Sequence, residues 1–125
     1  EESYKRQVEA LVKYQDISGM WHTIINDSSS YFETSATAGF AYGILSGIEQ
    51  GILDESHYLY SYMAIRYIAG NYLEEDGSLK QVSAGTAMGY DGEHYKNIGF
   101  CQTPYGQGLM ILAVLGLKDT DKFYN

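Results

Sequence analysis

The stretch Ser30–Gly51, SYFETSATAGFAYGILSGIEQG, carries four glycines spaced by four, at positions 39, 43, 47 and 51. Each glycine costs a helix ~1 kcal/mol relative to alanine. Three readings account for such a stripe: a membrane dimer, a strand-rich segment, or a helix wall pressed against a neighbour. The membrane reading fails on length. Only about 13 uncharged small or apolar residues run from Ala36 to Ile48, between Glu33 and Glu49, where a span needs ~20. The strand reading fails on period, because small residues recur every four positions and not every two. Ser30-x-x-Glu33 reads as a capping box, with Ser30 as N-cap and Glu33 reaching back. The stretch is therefore expected to be a helix with a smooth ridge, and a ridge at i, i+4 lets a second backbone approach.

The whole chain has 125 residues, 45% of them hydrophobic and 19% charged. Residues 1–125 are read as one soluble globular domain. The formal charge of −8, with no run of lysine or arginine, argues against nucleic acid and anionic membrane surfaces as partners. A single cysteine, Cys101, excludes an internal disulfide framework and a cysteine-built zinc site. The opening EESYKRQVEA has no apolar core suited to a signal peptide and no initiating methionine. It reads either as a piece of something longer or as a processed chain.

Four helices are expected. The first covers about Glu2–Asp16, with Tyr4, Val8, Leu11 and Val12 on one face. The second is the glycine helix. The third follows an Asp54 cap and runs to about Leu73. The fourth starts at Thr103-Pro104, ends near Gly116 and carries LMILAVL, apolar on every side, so it reads as a buried helix. The connections are unequal: about four residues between the second and third helices, about fourteen between the first two, and about thirty from Glu74 to Gln102. Loops that long inside a compact domain are usually functional. With antiparallel helices both emerge at one end, which would gather Trp21, His22, Tyr90, His94 and Tyr95.

Trp21 and His22 suit a sugar, as a stacking plane beside a hydrogen-bonding group; a short strand anchored by the indole is the other reading. His94 lies near Asp91 and Glu93, but metal ligation needs three or four converging ligands and no His-x-x-x-His or cysteine pair exists. A solvated loop histidine is the plainer reading, and no metal or cofactor is expected. YLEEDGSL, at 72–79, fails as a calcium loop, because its first and twelfth positions would be Tyr72 and Ser83. No phosphate-binding loop or nucleophile elbow occurs. Among the carboxylates, Asp27, Asp91 and Glu93 read as solvated and Glu33 as a cap, so no acid–base pair stands out. Thirteen tyrosines suit either a hydroxyl-tipped carbohydrate cleft or ordinary helix packing.

The order GMWHTIIND, then SYFETSATAGFAYGILSGIEQGILD, then GTAMGYDGEHYKNIGFCQTPYGQGLMILAVL resembles the C-terminal third of the unsaturated rhamnogalacturonyl hydrolases. These form glycoside hydrolase family 105, related to the unsaturated glucuronyl hydrolases of family 88. The blocks SYFETSATAGFAYGI and PYGQG are specific. The resemblance implies an all-α fold, helical hairpins of an (α/α)6 toroid, with about four of twelve helices in this chain. It also implies a reaction: hydration of the 4,5-unsaturated uronic acid of a pectin-derived disaccharide by an aspartate acting as general acid and base, followed by rearrangement that releases rhamnose, without a metal.

In the family that aspartate lies in the N-terminal half, so no catalytic residue is expected here and the chain alone is expected to be inactive. The resemblance carries over only Trp21, His22 and Tyr105 as residues bordering the substrate cleft. Glu33 and Thr34 fall in the ETSATA block, which is taken as structural, with a polar role near substrate as the lesser reading. A non-catalytic remnant or helical interaction domain is the alternative. An oligosaccharide partner, cytoplasmic localisation, and either a homo-oligomer or a missing N-terminal portion complete the expectations.

Overall fold

A computed structural model describes residues 1–85 and 88–120. It contains five α-helices: α1 (Glu2–Tyr14), α2 (Thr34–Glu49), α3 (Tyr58–Asn71), α4 (Gly92–Lys96) and α5 (Pro104–Thr120). Among the described residues there is no β-strand, only three isolated bridges: His22 with Phe32, Leu73 with Leu79, and Ser83 with Phe100.

The apolar helix α2 lies at the centre. Ala38, Ala41, Ile44, Leu45 and Ile48 are buried along it, and both α3 and α5 pack against it. Asp54 caps the short 3-10 turn that leads into α3, accepting from the Ser56 amide at 2.9 Å. The buried Ser61 hydroxyl of α3 then donates to the Ala41 carbonyl at 2.8 Å, fixing the hairpin.

The glycine stripe has four different environments. A Cβ on Gly39 would meet Leu109 of α5 at 3.6 Å, whereas one on Gly43 would meet nothing within 4 Å. Gly47 lies under Tyr4 and Leu53, and Gly51 stands outside the helix at φ +74°, a left-handed position that ends α2. Close approach thus explains Gly47 alone, since 3.6 Å at Gly39 is ordinary van der Waals contact.

Three further expectations are corrected. Ser30 is not the cap of α2. Its hydroxyl donates to the Asp27 carbonyl at 2.7 Å and closes the preceding turn, while Glu33 itself is the N-cap. Gly116 does not end α5: the helix runs on to Thr120, because Gly116 lacks a left-handed φ and lies within the face of α5 that packs on Tyr42 and Leu45 of α2. The apolar helix α5 is not buried all round. Met110 and Ala113 face the core, but Ile111, Leu112, Val114 and Leu115 are exposed.

Helix α1 uses its apolar face within the chain. Val8 is buried, and Tyr4, Leu11 and Val12 pack on the same core. The chain then turns at Gly19, where φ is +97° and a Cβ would lie 2.6 Å from the Met63 backbone of α3. Only glycine fits that position.

Candidate functional site

The two long loops meet at the N-terminal ends of α2 and α5. The Thr34 hydroxyl donates to the Lys80 carbonyl at 2.7 Å, and the Gln81 side-chain amide donates to the Phe32 carbonyl at 2.7 Å. Gln81 adopts φ 60°, an uncommon conformation for a residue other than glycine, and it lies at this seam. The Lys96 ammonium reaches Asp27 at 3.1 Å, joining α4 to the first loop. Hydrogen bonds from Ser29, then from Lys96, hold the Asp27 carboxyl down at about 2. The Asp27 hydrogen bond raises Lys96 in turn.

Between these loops is a cleft of about 290 Å³, lined by Thr23, Glu33, Ser35, Ser83, Tyr95 and Tyr105. Glu33 is 4% exposed, yet its carboxylate forms part of this wall. One oxygen accepts from the Ser35 hydroxyl at 2.7 Å and the Ser83 amide at 2.9 Å; the other accepts from the Ala36 amide at 2.6 Å. None of the ion pairs among the described residues involves it. The buried charge is instead held by neutral donors and by the helix N-terminus.

Ser83 extends this network. Its amide donates to Glu33, its hydroxyl exchanges a hydrogen bond with the Tyr31 hydroxyl at 2.5 Å, and its carbonyl accepts from the Tyr105 hydroxyl. Its amide, hydroxyl and carbonyl therefore each have a partner, two on the first long loop and one on α5.

The residues expected from sequence divide accordingly. Tyr105 stands at the cleft, half exposed. Trp21 is fully buried: its indole N–H donates to the Leu11 carbonyl at 2.8 Å, and its ring meets Phe40 edge-on at 5.4 Å. A sugar cannot stack on an indole with no exposed face. The Nδ1–H of His22 donates to the Ser30 carbonyl at 2.6 Å, and its ring lies 4.6 Å from Phe32. These two residues stitch the first loop together, and the next residue, Thr23, reaches the cleft. Tyr95 reaches it as well. Tyr90 is fully exposed, and His94 packs edge-on against Tyr95 at 5.1 Å.

Most other tyrosines serve packing, as with Tyr58 stacked on Tyr62 at 5.9 Å. Among the described residues no three His, Cys, Asp or Glu side chains converge as metal ligands. A larger open concavity, about 900 Å³, lies at the far end around the 48–56 turn; neither long loop reaches it.

Sequence reasoning missed two features. Helix α4 is too short for periodicity to reveal, although Asp91 caps it by accepting from the His94 amide at 3.1 Å. Glu33 was visible as a cap, but its link to Ser83, fifty positions away, leaves no local signal.

The chain is thus an all-α hairpin assembly with a cleft of hydroxyl side chains around one carboxyl group at its loop end. The sequence model of Glycosyl Hydrolase Family 88 matches residues 1–119, and the chain belongs to that family. It is 39% identical over 121 residues to the unsaturated rhamnogalacturonyl hydrolase YesR of Bacillus subtilis, covering 96% of this chain and 33% of that protein. A crystal structure of a possible member of the GH105 family from Salmonella enterica serovar Paratyphi A superposes with a TM-score of 0.87 at 40% identity, over 92% of this chain and 30% of that one. Another possible GH105 member, from Klebsiella pneumoniae, gives 0.84 at 42% identity, over 90% and 30%. The fold is thus that of part of a helical toroid, and the chain spans about one third of these relatives.

Proposed function

We propose that these residues form the C-terminal segment of an enzyme that hydrates the 4,5-unsaturated uronic acid of a pectin-derived disaccharide and releases rhamnose. The similarity to an unsaturated rhamnogalacturonyl hydrolase over 96% of the chain carries this reading, and the hydroxyl-lined cleft is compatible with it. Within such an enzyme this segment contributes one wall of the substrate cleft, with Tyr105 and Tyr95 as contact residues. Trp21 and His22 act behind that wall, holding the loop that presents Thr23.

The general acid–base aspartate belongs to the part of the family that these residues do not match, so the chain by itself is inactive. The setting is cytoplasmic, on imported disaccharides. No helix among the described residues is long and apolar enough to cross a membrane. An unsaturated galacturonyl–rhamnose disaccharide tests the reading through loss of its ultraviolet absorbance. Turnover is expected from a protein that joins these residues to the remaining two thirds of a relative's length, and none from these residues alone. Turnover by these residues alone, or none by the joined protein, overturns it.

The exposed apolar side chains of α5 favour a second reading, a non-catalytic helical interaction domain. Under that reading the joined protein folds and has no hydrolase activity.

A further inference from the structure

Residues 88–99 leave the body of the chain through a clasp. The Ser83–Phe100 bridge is flanked by two backbone bonds: the Ala84 amide donates to the Gly99 carbonyl at 2.8 Å, and the Cys101 amide to the Val82 carbonyl at 2.9 Å. Val82 is fully buried, so the clasp is tied to the core. A compact segment whose ends meet in this way is an Ω-type loop. Gly85 follows the clasp, and a Cβ there would meet nothing within 4 Å, which leaves that position without a packing constraint on its backbone.

Beyond the clasp the segment is braced internally. Asp91 caps α4 through the His94 amide at 3.1 Å, and the Asn97 side-chain amide donates to the Glu93 carbonyl at 2.7 Å. The Gly89 amide donates to the Tyr95 hydroxyl at 3.1 Å, and a Cβ on Gly89 would lie 2.1 Å from His94 Cδ2. The turn at Gly89 is thus pressed onto α4 and moves with Tyr95. No residue of α4 is buried. Three features join it to the body: the Lys96–Asp27 ion pair at 3.1 Å, the approach of Gly92 to Ile24, and Tyr95, which lines the cleft with Thr23, Glu33 and Tyr105.

The ion pair has a second arrangement at hand. Lys96 also reaches Glu93 of its own helix at 3.5 Å. One oxygen of Asp27 accepts from the Ser29 amide at 2.9 Å and the Ser29 hydroxyl at 2.6 Å, while Lys96 holds the other. When the pair parts, Lys96 keeps a carboxylate and Asp27 keeps two donors. Parting an ion pair is costly where a buried charge is stranded. Here neither is stranded, and the two side chains are 25% and 35% exposed, so the contact is one that can open and close.

We propose that residues 88–99 are a flap over the Thr23–Glu33–Tyr105 cleft, closed by Tyr95 and latched by Lys96 on Asp27. In the open state the flap lifts as one body on its clasp, Lys96 stays with Glu93, and the cleft admits its ligand. The flap, its latch and the surface it covers all lie within these residues. The inference therefore goes beyond the carbohydrate reading and does not depend on what the cleft binds.

The test is the rate at which a small thiol reagent modifies a cysteine at the cleft, in a chain carrying Thr23→Cys and Cys101→Ser. Asp27→Asn should raise that rate about two- to fivefold by releasing the latch. Lys96→Met should raise it equally, and the two together no further. They change the local charge in opposite senses, so a common rise reports uncovering and not a change in thiolate stability. Tyr95→Ala should raise the rate by itself, and Asp27→Asn should then add nothing. A rate indifferent to both latch substitutions, or moved by them in opposite directions, overturns the latch. An Asp27→Asn effect that persists in full after Tyr95→Ala overturns the closing role of Tyr95. If the cysteine chain does not fold, relaxation dispersion on the unaltered isotope-labelled chain decides. The Gly89, His94 and Asn97 amides should share one microsecond-to-millisecond exchange rate that the Ala84 and Cys101 amides lack. Unrelated rates, dispersion at the clasp amides, or none at all overturns the flap, while disaccharide turnover judges the carbohydrate reading separately.

Discussion

The Tyr4 hydroxyl donates to the Gly43 carbonyl at 2.6 Å, across 39 positions of sequence, and this bond fastens α1 to the central helix. It also separates two glycines that look equivalent in sequence. A Cβ on Gly47 would lie 2.9 Å from Tyr4 Cζ and 3.0 Å from Leu53 Cδ1, so alanine there must push Tyr4 off its acceptor. A Cβ on Gly43 enters open space. Gly43→Ala should therefore stabilise the chain by up to ~1 kcal/mol through helix propensity. Gly47→Ala should destabilise it by about 1–2 kcal/mol, as overpacking and a lost hydrogen bond outweigh the same gain. Urea unfolding of the two variants checks the opposite signs; equal signs would refute the assignment.

Trp21 anchors the loop to α1, and its substitution should show this in two ways. Trp21→Phe removes part of a fully buried ring and leaves the Leu11 carbonyl without its donor. A loss of about 2–4 kcal/mol is expected in denaturant unfolding. In the unaltered chain the indole lies edge-on to Phe40, away from water, so its emission should be blue-shifted and indifferent to sugar at the cleft. A large emission change on adding rhamnoside would place the indole at the ligand after all.

The periodic parts of this architecture were legible from sequence. Tyr4, Val8, Leu11 and Val12 mark one face of α1, the Asp54 cap marks the start of the third helical segment, and Thr103-Pro104 marks the start of α5. The loop ends also met as the unequal connections required. What stayed hidden depends on contacts between distant residues. Nothing local distinguishes Gly43 from Gly47, because the difference is Tyr4. A tryptophan beside a histidine in a long loop looks the same whether its indole faces solvent or the Leu11 carbonyl. Ser30 and Glu33 have capping-box spacing, but the loop closes one turn earlier on Ser30 and moves the cap to Glu33. Tyr105 was placed at the cleft through a family resemblance, and its hydrogen bond to Ser83 requires three-dimensional information.

Acid should loosen α4. The Asp27 carboxyl is depressed from its usual 3.8 to about 2 by Ser29 and then by Lys96. A depressed carboxylate contributes stability that is full above its unfolded value and lost as pH falls through the folded one. The Asp27 contribution should therefore be intact above pH about 4 and disappear towards about 2. Amide exchange of residues 93–97, compared with that of α2, should quicken over this window. Asp27→Asn should show quickened exchange already at neutral pH, and salt should have a similar, weaker effect on the unaltered chain. Exchange in α4 that ignores both pH and the substitution would show that the ion pair does not hold the helix.

The remaining prediction concerns the outer face of α5. Ile111, Leu112, Val114 and Leu115 are each between 41% and 59% exposed on consecutive turns, whereas monomeric proteins rarely leave contiguous apolar patches above a few hundred Å². Helix α1 cannot cover them, since its own apolar side chains are already packed on the core. Fully covering one leucine-sized side chain contributes about 1.5–3 kcal/mol in gross transfer terms. Four half-exposed ones on each of two copies could offset much of the ~4–15 kcal/mol entropic cost of association. Studied alone, the chain is therefore expected to sediment at micromolar concentration as a dimer or larger, above its 14.0 kDa monomer mass. The double substitution Leu112→Glu and Leu115→Glu should return it to monomer with its helical circular dichroism intact, because both side chains point away from the core. A folded monomer before substitution would show that these four side chains do not drive assembly, and an oligomer that survives the two glutamates would move the interface to another face.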